Sequence, residues 1–164
     1  MCSHFSSPPS FSNKAAISLI AILVFCFPAS ALPEADFAGT VRVVTGSVSI
    51  YRAGVLVPSV MGTRILTKDL IETGPDGRIG LMLHDGTRVA LGPKSALSVE
   101  TFLFQPADGK FGLLIKMLRG AAAYISGEIG RYAPQSVQVE TPVGILGLRG
   151  TKFAIVLNQP ETQP

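Results

Sequence analysis

Between Gly62 and Val99 apolar and polar residues alternate in short runs, and each run is closed by a turn signal. Ile79, Leu81 and Leu83 fall on one face of a strand, and Arg78, Gly80 and Met82 on the other. Pro75-Asp76-Gly77 and His84-Asp85-Gly86 flank this strand as turns, where glycine is expected to supply a positive φ. Arg88 to Leu91 forms the return strand. The same rhythm predicts strands over 40–45 and 47–52, with Val41, Val43, Val48 and Ile50 inward. Val55 to Val60 is apolar but contains Pro58, which lacks an N–H and assigns the segment to an edge or loop.

Further strands are expected on either side of Thr67-Lys68-Asp69 and over 97–104, 113–118, 137–141, 143–148 and 152–157. Residues 121–129 could form a short helix, but Tyr124, Ile125 and the nearby glycines favour a strand. Arg131 to Gln135 reads as a polar loop. The units Gly62-Thr63-Arg64, Gly86-Thr87-Arg88 and Gly150-Thr151-Lys152 recur at irregular spacing, which argues against a strict repeat. Glycine would make the corner, threonine start the strand and the basic side chain face solvent. The fold class is therefore all-β, in one domain.

Composition narrows the function classes. The chain has 164 residues with 47% hydrophobic and 15% charged, which suits one small core rich in turns, given 17 Gly and 12 Pro. After position 31 there are 13 basic and 11 acidic residues, too balanced to argue for nucleic acid.

Lys14 precedes an apolar run, Ala15 to Phe27, that is too short for a bilayer span of roughly 20 residues. Pro28 breaks the run, and Ala29-Ser30-Ala31 fits a small-x-small cleavage site. Residues 1–31 are therefore expected to be a signal peptide cleaved after Ala31, followed by a linker over 32–38, the β domain over 39–157 and a disordered tail over 158–164. Export to the periplasm or beyond follows, with no stable membrane span after cleavage. Both cysteines, Cys2 and Cys26, lie in the leader, so thiol chemistry is not expected in the mature chain.

Candidate chemistry is sparse. Asp69, Glu72, Asp76, Asp85, Glu100 and Asp108 are the carboxylates a hydrolase could use, and glycosidase chemistry needs two of them flanking a bond. Most sit in or beside turns, where Asp is expected for its hydrogen bonding. His84, the one histidine outside the leader, reads as a turn residue. No calcium-loop spacing is present, and Gly144 to Gly147 lacks the lysine-serine ending of a phosphate loop. No catalytic residue, cofactor or metal is expected.

Several features in order resemble the FecR domain family. They are Gly46-Ser47-Val48 with Arg52, Leu66 to Gly74, and the hairpin with Asp85, Gly86 and Thr87. Leu113 to Gly120 follows, then Val139-Glu140-Thr141-Pro142 and Leu148-Arg149-Gly150-Thr151-Lys152-Phe153. Asp76, Gly77, Asp85, Gly86, Thr87, Thr141, Pro142, Arg149, Gly150, Thr151 and Phe153 are the structural motif residues. The resemblance covers about Gly39 to Leu157 and implies an extracytoplasmic domain of short strands wound in a solenoid-like or roll-like way.

In well-known members such a domain is the periplasmic part of a sigma-factor regulator that answers an outer-membrane transporter. Only the leader precedes the domain here and seven residues follow Leu157, so that layout is not expected. The expectation is a non-catalytic binding module of the bacterial cell envelope, its partner an envelope protein or polymer. The alternative is a regulator of iron-type sigma-factor signalling acting in trans, with a secreted hydrolase behind both.

Overall fold

The computed structural model describes residues 37–147 and 152–157. The leader, residues 32–36 of the linker, Arg149-Gly150-Thr151 and the tail lie outside the described residues. The first strand, β1 (Phe37–Thr45), begins three residues earlier than expected. There follow β2 (Val48–Arg52), β3 (Val55–Val57), β4 (Arg64–Leu66), β5 (Leu70–Thr73), β6 (Arg78–Leu83), β7 (Arg88–Leu91), β8 (Ala96–Gln105) and β9 (Lys110–Ile125). Helix α1 (Glu128–Tyr132) and a 3-10 turn over Pro134–Ser136 lead into β10 (Val137–Thr141), β11 (Gly144–Gly147) and β12 (Lys152–Leu157).

The strands join into one curled, mainly antiparallel sheet with the order β3-β2-β5-β8-β9-β7-β6-β1-β4. Strand β10 also pairs with β9, in parallel, and carries β11 on its other side. The result is a half-barrel. In place of coils stacked in parallel, β9 with β10 is the one parallel pair among the described strands.

Strand β9 makes the curl. Lys110 to Arg119 pairs with β8, while Gly120 to Ile125 pairs with β12, and Ala122 to Ile125 also with β7. The switch falls at Gly120, whose φ of +84° suits glycine, and a Cβ there would collide with Ser95. Ser95 secures the corner: its Oγ donates to Ala121 O (3.1 Å) and accepts from Ala121 N (2.9 Å). Gly120→Ala is expected to cost about 2 kcal/mol through backbone strain and overpacking, read as a lower urea midpoint. An unchanged midpoint would mean that the corner is not under this constraint.

Both halves of the sheet turn their inner faces to one core. Ile50, Ile71, Leu97 and Ile115 come from one half, and Val41, Ile79, Leu81 and Val89 from the other, all essentially buried. The alternation read for Arg78–Leu83 holds residue by residue. Val43 does not follow its expected inward position and is 58% exposed. The register slips between Val41 and Val43, and such a bulge moves the next side chain to the other face.

Two further expectations change. Only the first part of 121–129 is strand: β9 ends at Ile125 and Glu128–Tyr132 is helical, so Arg131 and Tyr132 are not loop. Gly77 has no positive φ; its small size is what counts, because a Cβ would strike the Ser47 carbonyl. The turn before it is no hairpin either, since β5 pairs with β2 and β8 while β6 pairs with β1 and β7. Gly86, by contrast, has φ +80° as expected.

Candidate functional site

The motif residues separate into structural joints. The best defined surrounds Asp85, which turns β6 into β7. Its carboxylate is 2% exposed. Oδ1 accepts from Thr87 N (3.0 Å), and Oδ2 from Thr87 Oγ1 (2.8 Å) and Ile129 N (3.3 Å). Asp85 O accepts from Glu128 N, and Thr87 Oγ1 accepts from Gly127 N (3.0 Å). Helix α1 starts at Gly127 without a side-chain cap of its own. Asp85 and Thr87 satisfy its first N–H groups instead, from forty or more residues away.

Beside this joint Tyr124 stacks on Phe153, ring centroids 4.6 Å apart, so the phenylalanine of the closing motif packs against the core. The Tyr124 hydroxyl is buried without a hydrogen bond of good geometry. Burial pushes its phenol above the usual pKa, while the hydroxyls of Thr87 and Ser126 oppose this less. The folded state therefore holds the phenolic proton more tightly than the unfolded chain. That contribution is intact below the ordinary value of about 10 and lost as pH rises through the raised one. Tyr124→Phe is expected to leave neutral-pH stability within about 1 kcal/mol of the parent and to flatten the alkaline loss. Urea titrations at neutral and alkaline pH check both; an equal alkaline loss in the variant would contradict the assignment.

A second joint was not apparent from the sequence. Asp69 is fully buried in the turn between β4 and β5. It accepts from Arg52 Nε (2.9 Å) and Nη2 (2.8 Å) as a bidentate pair, and from Leu66 N (2.9 Å). Arg52 also donates to Arg64 O (2.8 Å). The hydrogen bond to Asp69 is the chief reason the guanidinium pKa lies above its ordinary value. An acid amid the apolar neighbours of LTKDLI was the available signal, but its partner lies seventeen residues back.

The remaining candidate carboxylates are dispersed over separate partners. Glu72 pairs with Arg119 (2.9 Å), Glu100 accepts from Ser98 Oγ (2.7 Å) and Asp108 lies 3.9 Å from Lys110. Asp76 accepts from Ser47 N (3.3 Å), and its carboxyl lies below the usual pKa through Ser47, the hydroxyl first. No two of the six share a partner in these bonds. Among the described residues no group of three His, Cys, Asp or Glu side chains converges as a metal site. His84 is exposed, edge-on to Phe37 at 4.6 Å.

Thr141 and Pro142 turn β10 into β11: Thr141 Oγ1 donates to Gly144 O (2.8 Å), and Pro142 is exposed. The hairpin they make presents an exposed apolar edge of the sheet, as β3 does with Val55 and Leu56 at the far end. All of β11 is exposed, and Val143, Ile145 and Leu146 are 89%, 65% and 43% exposed. Among the described residues β11 bonds only to β10.

A family profile described as FecR protein matches residues 69–163, more than half of the chain. The chain belongs to the FecR family. The match begins at the buried Asp69 and covers β5 to β12, so β1 to β4, with Gly46-Ser47-Val48 and Arg52, lie ahead of it. FecR proteins are envelope-associated regulators connected with sigma-factor control, rather than enzymes. Searches of curated proteins and of solved structures returned no significant match. No helix among the described residues is long and apolar enough to cross a membrane.

Proposed function

We propose that the chain is exported, loses residues 1–31, and works as a non-catalytic binding domain of the bacterial cell envelope. The observation that carries this reading is the β11 edge: a strand bonded, among the described residues, only to β10, with Val143, Ile145 and Leu146 in solvent. Unpaired N–H and C=O groups along such an edge accept an added strand, and exposed apolar side chains give it pockets to fill. The partner is an envelope protein or envelope polymer. Ile145→Lys places a charge on that edge and is expected to reduce co-purification of the partner at least tenfold while the fold is retained. Undiminished recovery would sink this use of the edge.

The family match favours a second reading, a regulator of iron-type sigma-factor signalling acting in trans. Its test is transcriptional. Loss of the gene would change expression of a sigma-dependent operon under iron limitation, and unchanged transcript levels would remove it.

A further inference from the structure

The outer face of the sheet across β1, β6, β7, β9 and β12 carries a second surface, separate from the β11 edge. Two shallow hollows of about 270 and 320 Å³ meet there at Ala90 and Ala123. Their common floor is low because cross-strand neighbours Gly80, Ala90, Ala123 and Ala154 stand in register. On one side the next row holds Met82, Arg88, Ile125 and Lys152; on the other it holds Arg78 and Val156 at its ends with the small Gly92 and Ala121 between them. These rows are four residues apart along the strands, about 13 Å.

Among the described residues the charged side chains in the rows of this face are all basic. Arg42, Arg78, Arg88 and Lys152 are exposed, and none takes part in an ion pair among the described residues. Arg42 reaches over the hollow to Met82 Sδ (3.4 Å). Among the described residues no carboxylate lines either hollow. Asp76, two residues before Arg78, accepts from Ser47 N on the neighbouring turn.

We propose that this trough docks an acidic amphipathic helix of a partner protein. The rim supplies guanidinium and ammonium groups that complement carboxylates, which favours an anionic occupant over a neutral one. Alanine and glycine on the floor with Met82, Ile125 and Val156 beside them suit an apolar face. A helix with side chains is about 10–12 Å across, comparable with the roughly 13 Å between these rows. Among the described residues no aromatic side chain lines the hollows, so they offer a glycan no stacking platform.

The test places a photoreactive residue at Ala123 of the full chain expressed in its own host. The expected adduct is a peptide rich in Asp and Glu at helical spacing. Its yield should fall at least tenfold in Arg42→Glu/Arg88→Glu, while adducts formed from Ile145 on the β11 edge persist. A sugar-bearing adduct, a peptide without carboxylates, no adduct at all, or a yield indifferent to the charge reversals would each overturn the proposal. Because the Ile145 adduct is read in the same cells, failure here is distinct from failure of the edge reading.

Discussion

Arg52→Met is expected to cost about 3–5 kcal/mol, because it leaves the buried Asp69 carboxylate without a counter-charge. That is a large share of the roughly 5–15 kcal/mol that holds a domain together. The converse change is milder. Arg52 is 36% exposed and can turn its guanidinium to water, and Asp69→Asn keeps an oxygen for Leu66 N. Asp69→Asn is therefore expected to cost about 1–3 kcal/mol. Arg52→Met/Asp69→Asn, which removes both charges, should cost less than the sum of the single changes. Urea denaturation of the three variants measures this order. Additive costs, or a larger loss from Asp69→Asn than from Arg52→Met, would show that the pair is not coupled through the buried charge.

The second large effect concerns Asp85. Its carboxylate has no ion pair among the described residues and is held by hydrogen bonds alone. Asp85→Ala strands the buried N–H groups of Thr87 and Ile129, at an expected cost of about 3 kcal/mol. The loss should have a local signature as well. The α1 amides at Gly127 and Ile129 are expected to exchange with solvent faster relative to the core strands. Asp85→Asn retains the shape and should lose less. Stability within about 0.5 kcal/mol of the parent for Asp85→Ala would mean that the helix start finds its partners elsewhere.

Much of this fold was legible in the chain because alternation reports burial directly. Ile79, Leu81 and Leu83 point inward as their spacing requires, and Pro58 follows the edge strand β3. Legibility fails where one residue shifts the period. The bulge after Val41 exposes Val43, and nothing in TVRVVT marks it. Gly120 resembles the other turn glycines in the sequence, yet it bends a strand instead of ending one.

Helix α1 spans Glu128–Tyr132, too short for a helical period to register, and its first N–H groups rely on a hairpin elsewhere in the chain. The motif residues were recognisable as turn chemistry. The second duty of Asp85, capping a helix, was not, and neither was the pairing of Asp69, outside that motif, with Arg52 seventeen residues back. Dispersal of the carboxylates likewise shows only in three dimensions, where each has its own partner.

The β11 edge is the place of contact proposed for the envelope partner. The most direct measurement is in-cell photocrosslinking from Ile145 in the full chain, with Thr101, exposed on β8, as the control position. The account predicts one stoichiometric adduct with an envelope component from Ile145 and none from Thr101. Equal labelling from both positions, or none from Ile145, would contradict it.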